Sequence, residues 1–164
     1  MEIAVISDTH MPRGDRRLPD AAIDRLKAAD LIIHAGDLSR LSVLSQLQSY
    51  GPPVIAVHGN VDDHATRAAL PATATVDADG AEIAVVHDGG QSPGRLARLH
   101  RRFPDAQAVV FGHSHIPLHE RDPATGFQIF NPGSPTERRR APQHTMGIAH
   151  ATAGELTFEL IALD

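Results

Sequence analysis

The sequence predicts an α/β fold in which two β-sheets pack face to face with helices on the outside. Three observations favour this architecture. Residues 1–60 alternate between apolar strand segments and amphipathic helix segments, which is typical of parallel strands joined by right-handed crossovers. Later segments are shorter and separated by turn residues, as expected of antiparallel strands. No helical segment is evident after Pro104.

The first three strands are predicted where apolar residues run together, as in a sheet that is covered on both faces. A first helix opens at Pro19 and Asp20, and its apolar residues recur on one face. In the second helix leucines recur every three residues from Leu41, and we expect Ser39 to be its N-cap residue. The predicted strands span residues 2–7, 31–35 and 54–57.

The second half is predicted to contain a hairpin, one helix and several further strands. Asp79 and Gly80 form the expected hairpin turn. Ser92 and Pro93 predict the start of the helix, with Ser92 as its cap. Gly154 supplies the last turn. The predicted strands lie near residue 118 and at residues 74–76, 82–86, 108–111, 127–130, 146–151 and 156–163.

The composition limits the classes of function. The chain has 164 residues, 41% apolar and 21% charged, which is enough for one domain over residues 1–164. Cysteine is absent, which excludes disulfides, zinc–thiolate sites and cysteine nucleophiles. A formal net charge of −5 argues against tight binding of duplex nucleic acid. The aromatic content of only 4% argues against base-stacking platforms. Because neither a membrane helix nor a secretory signal is evident, we expect a cytoplasmic protein without membrane contact.

Side chains that bind metal ions follow five of the predicted strands, at the carboxyl end of each strand. Open α/β sheets bind their ligands at this edge. A single aspartate or histidine there is usually a turn former or a structural residue, but coincidence at five strand ends is harder to accept. The candidate ligands are Asp8, His10, Asp37, Asn60, His87, His113 and His115.

The chemistry of this set favours two hard or borderline divalent ions. Carboxylates, imidazoles and one amide suit Mn²⁺, Fe or Zn²⁺ better than Ca²⁺ or Cu(I). Seven side chains are too many for one open catalytic ion and fit two ions that share a bridging carboxylate. We expect two divalent ions per chain, preferably Mn²⁺, with Fe, Zn²⁺ or Ni²⁺ as alternatives. Two ions about 3.5–4 Å apart stabilise the attacking and leaving oxygens in phosphoryl hydrolysis.

The order of these residues resembles that of the calcineurin-like metallophosphoesterases. The resemblance covers nearly the whole chain and is greatest for the small single-domain bacterial and archaeal phosphodiesterases. It implies a four-layer αββα sandwich and a metal-bridging hydroxide that attacks phosphorus. The matching segments are Asp8-Thr9-His10, Gly36-Asp37, Gly59-Asn60-Val61-Asp62, His87, Gly112-His113-Ser114-His115 and Asn131-Pro132-Gly133-Ser134.

The same resemblance implies a role for each candidate ligand. The first ion would be held by Asp8, His10, Asp37 and His115. The second ion would be held by Asp37, Asn60, His87 and His113. In this scheme Asp37, Asn60 and His113 are the catalytic residues.

Two departures from the family pattern bear on the substrate. Phosphomonoesterases of the superfamily carry a histidine after the Gly-Asn pair that protonates the leaving oxygen, whereas this chain has Val61. His87 is followed by Asp88 rather than by the usual Gly-His pair. We therefore expect a small phosphodiester as substrate. A phosphomonoesterase or nucleotide phosphatase remains an alternative, as does a non-catalytic scaffold resembling the family's retromer subunit.

Several residues near the candidate ligands have both a functional and a structural interpretation. Arg13 and Arg138 are candidates for binding the substrate, although solvated loops would explain them too. His34 and His58 precede ligand loops and are candidates for supporting the ligands through hydrogen bonds. Asp62 is expected to cap a following short helix, with an orienting contact to a ligand as the alternative. The resemblance suggests a homodimer or homotetramer, which is common among similar proteins, while the sequence itself leaves the oligomeric state open.

Overall fold

The structure is a computed structural model that describes residues 1–164 and contains ten strands and four helices. The strands are β1 (Glu2–Ile6), β2 (Leu31–His34), β3 (Val54–Ala56), β4 (Thr73–Ala78), β5 (Ala81–Val86), β6 (Ala108–Val110), β7 (Leu118–Arg121), β8 (Gln128–Asn131), β9 (Thr145–Thr152) and β10 (Glu155–Ala162). The helices are α1 (Asp20–Ala28), α2 (Leu41–Gln48), α3 (His64–Ala69) and α4 (Arg95–Arg102). No helix follows α4, as the sequence predicts.

The strands form two five-stranded mixed sheets, in the orders β10-β9-β1-β2-β3 and β4-β5-β6-β8-β7. In the first sheet β1, β2 and β3 are parallel, and β9 and β10 are antiparallel additions. The second sheet also has a parallel centre, because β5, β6 and β8 run in one direction. Its antiparallel pairs are confined to the two edges, so it is less antiparallel than its short segments suggested.

Apolar side chains between the two sheets form the central core of the protein. Val5 and Ile33 from the first sheet pack with Ile83, Val110 and Phe130 from the second. Burial of this surface is favourable by about 25 cal/mol per Å². Helices α1 and α2 cover the outer face of the first sheet, and α4 covers the outer face of the second. The predicted two-sheet sandwich with outer helices is therefore confirmed.

The helix ends differ from the prediction at three places. Ser39 is not a cap, because α2 begins after Arg40 and Ser39 has a left-handed φ of 89°. Helix α3 is capped by Asp63 and not by Asp62, since the Asp63 carboxylate accepts a hydrogen bond from the Thr66 amide. Helix α4 begins later than Ser92, because Gly94 adopts a φ of 70° immediately before it.

None of the four helices has the length and apolar character that crossing a bilayer requires.

Candidate metal centre

Tight turns after the parallel strands bring the predicted ligands to one edge of the sandwich. Five of these residues have positive φ angles, which is uncommon for residues other than glycine. Such turns let alternate residues of one segment face a common point. The five φ angles are 57° for Asp8, 46° for His10, 59° for Asp37, 72° for His113 and 62° for His115.

Five buried side chains form two overlapping groups whose ligand atoms all lie within 4.8 Å of one another in each group. One group is Asp8, His10 and His115, and the other is Asp8, Asp37 and His87. The Nε2 atoms of His10 and His115 are 3.2 Å apart. Asp37 Oδ2 lies 3.2 Å from His87 Nε2 and 3.6 Å from His10 Nε2. Both carboxylates therefore face both groups.

Asn60 and His113 complete the arrangement on its solvent side. Asn60 Oδ1 lies 3.0 Å from His87 Nε2 and 3.1 Å from His113 Nδ1. Both residues are exposed, in contrast to the five buried candidates. The structure thus brings all seven predicted ligands together.

The Asp8 carboxylate shows that the site suits a cation. Its Oδ2 accepts hydrogen bonds from Ser7 Oγ at 2.7 Å and from the His113 amide at 3.0 Å. Its Oδ1 is buried and accepts no hydrogen bond. A buried polar atom without a partner is costly, by about 1–3 kcal/mol. Since Oδ1 faces both groups of ligands, a bound divalent ion would satisfy it.

The two carboxylates of the second group favour a proton on His87 when no metal is bound. Burial raises the pKa of Asp8 to about 7, against the opposing charge of His87. Burial of His87 favours the neutral ring, but its hydrogen bond with Asp37 and the charges of Asp8 and Asp37 outweigh this and raise its pKa to about 9. A metal ion bound here would replace that proton.

The histidines of the first group are neutral. Burial lowers the pKa of His115 to about 4 and also lowers the pKa of His10. A neutral imidazole is the form that binds metal. The Nδ1 atoms of His115 and His87 lie against the Glu137 and Ala35 carbonyl oxygens, respectively. This leaves the Nε2 atom of each ring facing the centre.

Asp62 and His34 hold the ligand loops in position. The Asp62 carboxylate accepts hydrogen bonds from the amides of Gly59, Asp37 and Ser39, at 2.6, 3.1 and 2.6 Å. Asp62 therefore makes the orienting contact that was the alternative to capping. His34 is buried, and its ring bonds to Thr9 Oγ1 at 3.0 Å and accepts from the Gly36 amide at 3.1 Å. Burial lowers the pKa of His34 to about 3, which keeps it neutral.

The predicted supporting role of His58 has no counterpart in the structure. The His58 ring makes no hydrogen bond, and it lines a cavity of about 320 Å³ together with Asn60, His87 and His113. A second cavity of about 320 Å³ lies on the other side of the centre, next to His10.

The arginine candidates are placed differently from one another. Arg13 is exposed and lines the cavity next to His10. Arg138 is directed to its own loop, where its guanidinium donates to the Ala141 carbonyl at 2.7 Å. The neighbouring Arg139 instead donates to the carbonyl of His113 at 3.4 Å. Of the three arginines in this run, Arg139 and not Arg138 is hydrogen-bonded to a ligand segment.

Glu137 is a residue at the centre that the sequence did not predict. Its Oε2 lies 4.0 Å from His10 Nε2, and its Oε1 forms an ion pair of 2.8 Å with Arg16. The segment is fixed by Ser134, whose Oγ donates to the Asp8 carbonyl and accepts from the Glu137 amide. These contacts join residues 134–137 to residues 8–10. No local sequence motif at Glu137 predicts them.

Comparison with known proteins assigns the family. The calcineurin-like phosphoesterase superfamily domain matches residues 1–154. A probable metallophosphoesterase from Methanothermobacter thermautotrophicus is 32% identical over 141 residues, which cover 85% of this chain and 80% of that protein.

Two solved structures share the fold. Vps29 from Entamoeba histolytica, in complex with Zn²⁺, has a TM-score of 0.78 and 21% identity, and the alignment covers 100% of both chains. A structure described as a novel archaeal phosphodiesterase has a TM-score of 0.74 and 20% identity, with 98% of this chain and 100% of the other covered. From the domain match and the archaeal relative, the chain belongs to the calcineurin-like phosphoesterase superfamily.

Proposed function

We propose that the protein is a phosphodiesterase that acts on small substrates with the help of two divalent metal ions. The observation that carries this proposal is the buried Asp8 Oδ1, which has no hydrogen-bond partner and faces both groups of candidate ligands. Two overlapping groups around shared carboxylates are the arrangement that two adjacent ions need.

The first ion would be held by Asp8, His10, Asp37 and His115, and the second by Asp37, Asn60, His87 and His113. The mixture of carboxylate, imidazole and amide donors suits Mn²⁺, which we propose as the metal. When bound, the two ions would lower the pKa of water and offset negative charge on phosphate oxygens.

Other roles at the site fall to residues of the protein itself. Asp62 holds the Asp37 loop through the Asp37 amide. Asn60 and His113 are the exposed members of the set and are therefore the candidates for direct contact with the substrate phosphate. The Glu137–Arg16 ion pair places a carboxylate oxygen 4.0 Å from His10 Nε2.

Val61 supports a diester substrate. The residue is 45% exposed beside the centre, while its amide donates to Asp37 Oδ1 at 2.9 Å. Valine cannot protonate a leaving oxygen, and a positioned acid typically contributes about 10²–10⁴-fold. Diesters with stable leaving groups need this help less. They also carry less negative charge than monoesters, so two ions offset it more completely.

The proposal is tested by metal depletion and reconstitution. We expect chelation to abolish hydrolysis and Mn²⁺ to restore it, with Fe, Zn²⁺ and Ni²⁺ measured in parallel on diesters, monoesters and cyclic nucleotides. Hydrolysis that survives exhaustive chelation would refute the metal-dependent mechanism. Full metal binding without hydrolysis of any ester would favour the scaffold function instead, and a monoester preference would favour the phosphatase.

The cellular setting is proposed with the activity. We propose a cytoplasmic enzyme that forms a homodimer or homotetramer, without duplex nucleic acid or membrane as a partner. Light scattering of the purified protein measures the mass of the particle, and a mass of one chain would contradict the oligomer.

A further inference from the structure

The metal centre lies between two separate cavities of similar size. The His10-side cavity, about 320 Å³ in volume, is lined by His10, Arg13, Arg40 and Val61 among others. The His87-side cavity, also about 320 Å³, is lined by Asn60, His87 and His113 and by Arg67, Asp88 and Arg102. The neighbouring residues Asn60 and Val61 belong to opposite cavities, so the ligand loop itself separates them.

This geometry matches the shape of a phosphodiester. A diester has two substituents that leave the phosphorus atom in different directions, whereas a monoester has only one. Each cavity reaches the volume of ordinary small-molecule sites, about 300–1,000 Å³. A phosphate at the centre would therefore have room for one substituent on either side.

The charges in the cavities indicate what these substituents carry. Each cavity contains two arginines, and none of the four has a carboxylate oxygen within 4.0 Å, because the only arginine ion pair in the structure is Arg16–Glu137. Arg67 makes a single long contact of 3.5 Å to the Asn60 carbonyl. Guanidinium groups bind phosphate through two parallel hydrogen bonds.

The two cavities are not equivalent. The His87-side cavity also holds the exposed carboxylate of Asp88, which accepts a hydrogen bond from the Gly90 amide at 2.8 Å. The His10-side cavity contains no carboxylate and has Met11, Pro12 and Val61 as apolar walls. An anion is thus better accommodated on the His10 side.

We propose that the two cavities bind the two substituents of the substrate, and that the substituent on the His10 side carries a phosphate of its own. The substrate class is then a nucleotide-type diester with an additional phosphate, such as a terminally phosphorylated dinucleotide. This inference rests on the proposed phosphodiesterase function.

The experiment compares two substrates that differ in one phosphate. They are the p-nitrophenyl ester of thymidine 5′-phosphate and the same compound with a 3′-phosphate. In the Mn²⁺-loaded wild-type protein we expect kcat/KM to be about tenfold higher for the 3′-phosphorylated substrate, because one charge-assisted contact contributes about that factor. In Arg13→Gln/Arg40→Gln this preference should fall to near one.

Two further double variants test whether the preference depends on the His10-side cavity alone. Arg67→Gln/Arg102→Gln should retain the preference, since it alters only the His87-side cavity. Arg25→Gln/Arg121→Gln removes two exposed arginines outside both cavities and should also retain it. Equal kcat/KM values for the two substrates in the wild type, or an unchanged preference in Arg13→Gln/Arg40→Gln, would overturn the inference.

A binding measurement that needs no hydrolysis distinguishes a failure of this inference from a failure of the proposed function. If neither ester is hydrolysed, the phosphodiesterase proposal fails. Calorimetric titration with thymidine 3′,5′-bisphosphate and thymidine 5′-phosphate then repeats the comparison as a ratio of Kd values. A tighter bisphosphate complex that depends on Arg13 and Arg40 supports the subsite, and equal affinities refute it.

Discussion

The two halves of the candidate metal centre differ in burial and charge. In the first half, burial lowers the pKa values of His10 and His115, so both rings are neutral. In the second half, Asp37 and Asp8 outweigh the effect of burial and raise the pKa of His87 to about 9. The second half also includes exposed residues, whereas His10 and His115 are buried.

The contrast shows how one set of ligand types produces two unlike sites. In the first half the histidines are already in the protonation state that binds metal. In the second half a proton must leave His87 before an ion can bind, and the site is open to solvent and substrate. We therefore expect tighter metal binding in the first half and substrate contact in the second.

Removing Asp37 should break both halves at once. Asp37 Oδ2 lies within 3.6 Å of His10 Nε2 and within 3.2 Å of His87 Nε2. We expect Asp37→Ala to lose turnover completely and to bind less metal at both sites, as measured by elemental analysis. Asp63→Ala is the matched control, because this carboxylate caps α3 and its loss should lower stability only slightly. Two full equivalents of metal in an active Asp37→Ala protein would disprove the bridging role.

A methyl group at Gly112 should damage the first half more than the second. A Cβ there would lie 2.0 Å from Ser7 Oγ and 2.6 Å from Asp8 Oδ2. We expect Gly112→Ala to lower the free energy of unfolding by about 1–3 kcal/mol and to weaken the first ion. Thermal unfolding and metal content measure the two effects. Gly14→Ala is the control for metal content: its φ of 62° strains an alanine, but a Cβ there meets nothing within 4 Å. An equal loss of metal in that variant would contradict the steric explanation.

The two halves should respond differently to pH. His87 has a pKa of about 9 without metal, so below that pH a proton competes with the ion and affinity falls as pH falls. The pKa of His115 is about 4, so this ring does not compete near neutral pH. Between pH 8.5 and 6.5 we expect the weaker-bound equivalent to lose about tenfold in affinity per pH unit and the tighter one to lose less. Competition with a chromophoric chelator measures both affinities, and equal slopes would remove the distinction.

The smallest expected effect is a change of substrate preference at Val61. Val61→His places an imidazole on the solvent side of the centre, where Val61 is exposed. We expect monoester hydrolysis to rise relative to diester hydrolysis, by up to about 10²-fold if the ring reaches the leaving oxygen. The measurement is the ratio of kcat/KM values for matched aryl phosphate monoesters and diesters, with Val61→Leu as control. A wild-type protein that already prefers the monoester would overturn the diesterase proposal.

Much of the fold and of the ligand set could be predicted because each feature depends on a short segment of the sequence. The buried strand that ends at Ile6 and the Gly-His-x-His turn after β6 need no distant contact to be recognised. Asp62 and Ser39 were misjudged because both resemble helix caps, whereas the Asp62 carboxylate binds the Ser39 amide from 23 residues away. Glu137 was missed because its place at the centre depends on contacts with distant parts of the chain. Its neighbour Ser134 is tied to the Asp8 carbonyl from 126 residues away.

The left-handed backbone at five of the predicted ligands would link metal supply to protein quality control if the site binds metal. This conformation costs an aspartate or histidine roughly 1 kcal/mol, so five such residues store roughly 5 kcal/mol, a large share of the 5–15 kcal/mol that typically separates folded from unfolded domains. An ion that binds the folded chain more tightly than the unfolded chain would stabilise the folded state by mass action and so compensate for that strain. In a metal-starved cell the same turns would raise the unfolded population, and proteases would remove the apoprotein faster than the loaded form.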